Sequence, residues 1–325
     1  MKALVVNCSP AHYNLGARKL SDWLAAQGHA VSYHDGDPGL FGYGFDLVAL
    51  SVIFSWHAAR AREIALRLRE QSDVWCGGPG MFALGGWWLR ETGLTATRGL
   101  DPRFERQQGG YRYTFASRGC PVGCSFCIVP RLEGTEFTLY PDFEPAPVLC
   151  DNNLSALPEA FQRHIIDRYT AAGVRMADAN SGFEPATFDE GTYRRWAPLL
   201  HGPWRFALDE MGELAAVERM MGILREVRTK KKQVYVLIGN EPVAACYERA
   251  MRVLEWGGEP FCQPYRPLNA LDYATFKIAH DWTSPKLRAF ARYFNRHLYR
   301  YCRLWEYARR PGDRPLFRES EVLRD

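Results

Sequence analysis

The feature that most constrains this chain is a rhythm. Strand-like apolar runs alternate with helix-like runs from the first residues to about position 268. "KALVVNC" ends at Ser9-Pro10. Residues 15–27 carry apolar positions at helical spacing and stop at Gly28. "HAVSYH" and "DLVALSVI" follow as strands, then a helix over "HAARAREIALRLRE", then the strand "SDVWC", broken by "GGPG". "DLVALSVI" is continuously apolar rather than alternating, as in strands buried on both faces of a parallel sheet. An α/β class follows, with an open doubly wound sheet over residues 1–98.

Residues 99–111, "GLDPRFERQQGGY", are polar and glycine-containing and read as a linker. A second βα series occupies 112–268. Its strands are "YRYTFAS", "PVLCD", "VRMAD", "WRFALD", "QVYVLIG" and "EPFCQ", with helices near 158–172, 189–200, 212–228 and 242–256. Six such strands predict a partial (β/α)6 barrel. The segment is too short for a closed eight-unit barrel, which takes about 250 residues. Residues 269–325 form a helical C-terminal tail. Within it, 285–309 reads as one long amphipathic helix, with Phe290, Tyr293, Phe294, His297, Tyr301 and Trp305 on one face. Arg288, Arg292, Arg296, Arg300 and Arg303 line another, either a solvated face or a contact for RNA or another polyanion.

At 325 residues, two domains are expected. Hydrophobic residues at 47% and charged residues at 24% are ordinary for a globular protein, and no apolar run reaches the roughly 18 residues of a membrane helix. The N-terminus reads as a first strand rather than a signal peptide. Nine cysteines, an odd number, favour a reducing, cytoplasmic setting. The net charge is +4, yet residues 281–325 alone carry eleven Lys/Arg against six Asp/Glu. The basic character therefore belongs to the tail.

Three cysteines crowd into "ASRGCPVGCSFCIVPR": Cys120, Cys124 and Cys127. Three cannot all pair as disulfides. Structural zinc needs a fourth ligand from a second knuckle, and neither Cys150, on a strand, nor His164, in a helix, lies in one. An iron–sulfur cluster fits better, because three thiolates leave one iron open for chemistry. Gly119 and Gly123 let the loop turn tightly.

Cys120-x3-Cys124-x2-Cys127, with Phe126 before the last cysteine, resembles the signature of the radical S-adenosylmethionine (SAM) superfamily. The wider run "RGCPVGCSFCIVP" strengthens the likeness, which covers about 112–268. It implies a [4Fe–4S] cluster on the three cysteines, in a loop after the first strand of a partial (β/α)6 barrel. The open iron would chelate SAM, and one electron from a flavodoxin- or ferredoxin-type donor would cleave it to methionine and a 5′-deoxyadenosyl radical. That radical would abstract hydrogen from a substrate the sequence does not name. Phe126 would flank the adenine.

Polar residues follow five strands, and in parallel barrels ligands gather at such ends. By the resemblance, Asp151, Asn152 and Asn153 stand where the family's second-strand motif holds the SAM amino group, with Asp-Asn-Asn replacing a Gly-Gly-Glu type sequence. "VLIGNE" is similar to the fifth-strand motif that reads adenine, which nominates Ile238, Gly239 and Asn240. Asn180 and Ser181 are candidates for the SAM ribose or carboxylate, and Asp209 or Glu210 for SAM or substrate. Gln263, Tyr265 and Arg266 end the sixth strand.

The first hundred residues are flavodoxin- or cobalamin-domain-like. Fragments of a cobalamin-binding pattern occur in His12 and Gly16, Ser51-Val52-Ile53 and Gly77-Gly78, but Pro10 replaces the pattern's Asp and His12 is misplaced relative to Gly16. Cobalamin binding without a histidine ligand, or a tight turn without any ligand, remain as readings. The methylthiotransferase branch carries a second cluster on three N-terminal cysteines. Here only Cys8 and Cys76 lie at strand ends. Three functions therefore stand: a radical SAM enzyme; a narrower cobalamin-dependent methyltransferase or RNA-modifying relative; and a non-enzymatic Fe–S or zinc module. No membrane partner is expected.

Overall fold

The computed structural model describes residues 1–97, 99–272, 276–310 and 312–323. The chain folds as two compact units.

The first unit comprises 1–113, 118–144 and 267–276. Its centre is a four-stranded sheet of β1 (Lys2–Asn7), β2 (Ala30–Asp35), β3 (Leu47–Ser51) and β4 (Asp73–Gly77), in the order β2-β1-β3-β4. All three pairings are parallel, and their registers bring Asn7, Asp35, Ser51 and Gly77 to one edge. The period of two along β1 explains the layers. Leu4 and Val6 face α2 (Ala58–Leu68) and α3 (Gly85–Thr92), where Ala61, Ile64, Ala65 and Trp88 are fully buried. Ala3 and Val5 face Ala17 and Leu24 of α1 (Leu15–Ala26). Helices on both faces of a parallel sheet make the fold doubly wound. Helix α1 starts where Asn14 Oδ1 accepts from Ala17 N–H, an N-cap bond that satisfies one orphan donor.

The segment 99–111 is more than a linker. It contains a turn of helix, α4 (Pro102–Glu105), and is tied down at both ends. Lys19 Nζ donates to Glu105 O. Tyr111 Oη donates to Asp22 at 2.5 Å, and Gln108 Nε2 to Asp142 O at 2.8 Å. Beyond it come β5 (Tyr113–Thr114), β6 (Ser117–Arg118), α5 (Val129–Leu132) and β7 (Thr138–Leu139), with β6 paired to β7. Residues 267–276 also belong to this unit, where Ser55 Oγ donates to Ala270 O at 2.6 Å and Leu271 packs on the core. The cysteine segment, expected within the barrel, falls in 118–144, which groups with the N-terminal sheet.

The second unit comprises 114–117, 145–266 and the described part of 277–325. It retains the strand–helix alternation: β8 (Val148–Leu149), α6 (Glu159–Ala172), β9 (Asp178–Ala179), α7 (Glu190–Trp196), β10 (Trp204–Ala207), α8 (Leu214–Ile223), β11 (Lys232–Ile238), α9 (Val243–Glu255) and β12 (Glu259–Pro264). Among the described residues these strands form two three-stranded sheets, β5-β8-β9 and β10-β11-β12, rather than one six-stranded sheet. The β8–β9, β10–β11 and β11–β12 pairings are parallel. The third expected strand, "VRMAD", is reduced to two residues and a bridge from Met176 to Leu200. An aromatic core of Phe183, Phe188, Trp196, Trp204 and Phe206 fills the region, with rings 5.0–6.1 Å apart.

The expected long helix over 285–309 is not formed. Helix α10 runs from Ser284 to Asn295. Asn295 then uses its side chain on the backbone of β12, accepting from Cys262 N–H at 2.7 Å and donating to Cys262 O at 3.0 Å. His297 follows with φ of 55°, in the left-handed region, and a short turn at Leu298–Arg300 replaces the helix. An amide side chain with backbone partners on a neighbouring strand fixes where the helix stops. A last helical turn, α11, spans Glu319–Val322.

Candidate functional site

The cysteine loop is built from its closure outward. Arg118, 9% exposed, pairs with Glu105 at 2.6 Å and with Glu133 at 3.2 Å. The other oxygen of Glu133 accepts from Gly119 N–H at 3.1 Å, and Cys120 N–H donates to Gly134 O at 3.2 Å. These bonds join the two ends of the 119–134 segment. Gly119 has φ of +89°, and a Cβ there would lie 2.1 Å from Glu136 O. Only glycine permits that approach. Gly123, with φ of +71°, turns the chain between the first two cysteines, where the surroundings are open.

Cys120, Cys124 and Cys127 are half-buried, and so is Phe126. Cys127 N–H closes a turn on Cys124 O at 3.1 Å. Val129 N–H points at Cys127 Sγ, 3.4 Å away, as α5 begins. This donor set fits an iron–sulfur cluster. Soft thiolates select such clusters, and hydrogen bonds to the sulfurs tune them. Among the described residues no three His, Cys, Asp or Glu side chains are gathered closely enough to share one metal ion.

Five of the remaining cysteines are buried, and Cys302 is half-buried. Burial pushes the Cys8 thiol up to about 12 and those of Cys76 and Cys262 well above the ordinary range. They behave as small apolar groups.

In the second unit the nominated residues have distinct fates. Asp151 is fully buried and accepts from Ala116 N–H at 2.8 Å and Ser117 Oγ–H at 2.5 Å. It clamps the chain just before the cysteine segment. Asn153, 3% exposed, accepts from Ala156 N–H and Ser155 Oγ–H and shapes its own turn. Asn152 between them is half-buried. Asn180 and Ser181 are exposed, and Asn180 N–H extends the β8 edge by donating to Leu149 O. Ile238 is buried and its carbonyl accepts from Tyr265 N–H at 2.7 Å. Gly239 has φ of +96°, and a Cβ there would meet Leu287 of α10 at 2.9 Å.

Asp209, Glu210 and Asn240 meet at the carboxyl ends of β10 and β11. Asn240 Nδ2 donates to Asp209 O at 3.0 Å, while its Oδ1 is buried without a hydrogen-bond partner. Glu213 Oε2 accepts from both Asp209 N–H, at 2.5 Å, and Glu210 N–H, at 3.2 Å. Glu210 itself is exposed. Burial first, and then the Glu213 charge, raise the Asp209 carboxyl to about 7. Burial raises Glu213 as well.

Under this group lies a residue the motif reading passed over. Arg249 is fully buried and donates to Leu208 O at 2.6 Å and Leu237 O at 2.9 Å, at the carboxyl ends of β10 and β11. Its Nη2 also lies 2.9 Å from Glu241 Oε2, an ion pair whose angle falls outside hydrogen-bond geometry. The signal was available in sequence. Arg249 stands on the apolar stripe of α9 with Cys246, Ala250 and Val253, where an unpaired charge would not survive.

At the carboxyl edge of the N-terminal sheet, Asn7 donates to Asp35 and to His12 O, and Asn14 donates to Asn7 and Ser51 Oγ. Ser9 Oγ lies 2.8 Å from His57 Nδ1, and Phe54 stacks on Trp56 at 4.5 Å. His12 is exposed, edge-on to Phe54. The residues here do not fit cobalamin. The space beside Gly78 is filled by Val52, whose carbonyl would be 2.5 Å from an added Cβ. Thr97 likewise covers Gly77, and Ser51 is engaged by Asn14. The glycine pair serves the chain's own packing and leaves no cradle.

No helix among the described residues is long and apolar enough to cross a membrane. Neither a protein-family model nor a curated protein matches the chain.

Proposed function

We propose that this protein is a radical SAM enzyme whose cluster is held by Cys120, Cys124 and Cys127. The observation that carries the reading is the loop itself. Three half-buried thiols sit on a glycine-turned segment closed by buried Arg118 and its half-buried partners Glu105 and Glu133, with a backbone N–H aimed at one sulfur. Burying the Arg118 charge is costly unless it is paired, and both glutamates supply that pairing at the base of the loop. When bound, a [4Fe–4S] cluster with one open iron would bind SAM and supply the electron for its reductive cleavage.

The chain's own part is to hold and orient. The Val129 amide is placed to donate to the Cys127 sulfur. Phe126 offers an apolar face to the nucleoside. At the ends of β10 and β11, Asp209 keeps a proton near neutrality and offers an O–H donor, while exposed Glu210 offers an acceptor. Asn152, Asn180, Ser181 and Asn240 remain proposed contacts to SAM or substrate. Asp151, Asn153, Ile238 and Gly239 are engaged by the fold, and their contribution is to position the segments around them. A one-electron donor of flavodoxin or ferredoxin type and a cytoplasmic setting belong to the same proposal.

The test is anaerobic reconstitution with iron and sulfide. Four irons and four sulfides per chain are expected, together with 5′-deoxyadenosine after addition of SAM and reductant. Single Cys→Ala changes at 120, 124 and 127 should each remove both. Binding of zinc without sulfide would refute the proposal.

A further inference from the structure

Helix α10 carries its apolar residues inward: Leu287, Phe290, Tyr293 and Phe294 are buried. Its outer face carries Arg288, Arg292 and Arg296, all exposed and four residues apart. Four residues of helix advance about 6 Å, so the guanidiniums form a ladder. Together with Arg309 and Leu316 they line a groove of about 350 Å³. That volume is at the lower end for a small-ligand site, roughly 300–1,000 Å³.

The charge in this groove is uncompensated. Among the described residues no carboxylate lies within ion-pair distance of any of the four arginines, although ion pairs occur on other helices. Some exposed arginines on the other helices answer a neighbouring acid, as Arg163 does with Glu159 and Arg194 with Glu190, but here the unanswered ones stand in a row on one groove. Clustered like charges repel, so such a ladder favours an anion that presents several charges in a row.

The turn after α10 adds a second kind of group. Tyr301 is 83% exposed, so its ring is open to a stacking partner. Beside it, Arg300 lies over Tyr299 at 5.8 Å and Arg303 over Trp305 at 5.6 Å. Basic groups that track a backbone, combined with aromatic faces on which bases stack, are the recognition chemistry of single-stranded nucleic acid.

We propose that the α10 groove binds the phosphate backbone of a single-stranded nucleic acid, with Tyr301 stacking on a base. The proposal does not depend on the cluster. Four phosphate contacts give a salt slope of about −2.8, so affinity should fall about 50-fold between roughly 50 and 200 mM salt. The full-length protein is titrated into a fluorescein-labelled oligouridylate, and binding is read by anisotropy across that range. Replacing Arg288, Arg292 and Arg296 together by Ala should leave a salt dependence of only about 2–3-fold. Replacing the three by Lys should keep most of the slope, which separates charge from helix integrity. Tyr301→Ala should weaken binding at least about 5-fold at every salt concentration without changing the slope. Inorganic tripolyphosphate is the second arm. Should it bind as tightly as the oligonucleotide while Tyr301→Ala has no effect, the groove is a small-polyanion pocket and the proposal is overturned. Wild-type affinity and slope in the triple Ala variant would overturn it equally.

Discussion

Gly119 and Gly123 both have left-handed backbone angles, yet they should not tolerate alanine equally. The comparison isolates one physical cause. At either site a Cβ brings the strain of φ near +71° to +89°, on the order of 1–2 kcal/mol. At Gly123 nothing lies within 4 Å of the added carbon, so strain is the whole cost. At Gly119 the Cβ would sit 2.1 Å from Glu136 O and 3.0 Å from its carbon, and 3.4 Å from Gly134 O. These are backbone atoms and cannot rotate away. The segment would have to shift by about 1 Å, and overpacking of that kind adds about 1–3 kcal/mol. Gly119→Ala should therefore cost about 2–5 kcal/mol, against about 1–2 for Gly123→Ala. The first is a large part of a typical total stability of about 5–15 kcal/mol. The shift would also strain the Cys120 N–H bond to Gly134 O and the Gly119 N–H bond to Glu133. Urea unfolding followed by tryptophan fluorescence measures the stability difference, and iron content after reconstitution measures the loop. Gly123→Ala should retain iron and Gly119→Ala should lose most of it. Equal costs within about 0.5 kcal/mol would refute the steric account of the loop.

Three further outcomes follow from the buried groups. Arg249→Met should destabilise by about 3–5 kcal/mol, because Glu241 loses its counter-ion and two carbonyls lose their donor; denaturant titration checks it. The same change removes a positive charge that holds Asp209 down, so carboxyl-selective NMR should find Asp209 titrating higher than in the wild type. Folded Asp209 keeps its proton to about pH 7, whereas the unfolded chain loses it near 3.8. The native state therefore binds more protons between those values, and stability should fall as pH rises through that window. Asp209→Asn should flatten the fall and make the variant the more stable form above neutrality, as thermal midpoints across the window would record. Iodoacetamide mapped by mass spectrometry should label Cys120, Cys124 and Cys127 in the native, cluster-free protein before Cys8, Cys76 or Cys262, which should react only on unfolding.

Much of the fold was legible because burial leaves a periodic trace. The four strands and first two helices of the N-terminal sheet fall where the apolar runs place them, and the alternation along β1 divides cleanly between two helical layers. The misses have local causes. "VRMAD" has the composition of a strand but pairs over only two residues, since pairing depends on neighbours as well as propensity. The supposed long tail helix has an unbroken helical period. Its end is set by Asn295, whose partners on β12 lie 33 residues earlier in the chain. The segment 99–111 has a linker's composition but is held by Tyr111, Gln108 and the Arg118–Glu105 pair, none of which a window of sequence reveals.

The site follows the same division. The cysteines announce themselves by spacing, and Gly119 and Gly123 by the turns such spacing requires. Which polar strand-end residues are engaged could not be read, because Asp151 and Asn153 look no different in sequence from Asp209 and Asn240. For arginine, however, the helical period separates two cases. On α9, Arg249 interrupts the apolar stripe, so its side chain must be buried and must find acceptors; it finds them 12 and 41 residues away, on two strands. On α10, Arg288, Arg292 and Arg296 keep to the face opposite Leu287, Phe290 and Phe294, so the fold makes no demand on them. Arg249 is explained by the structure it holds. Among the described residues no ion pair engages the α10 arginines, which leaves their charge available to the polyanion proposed above.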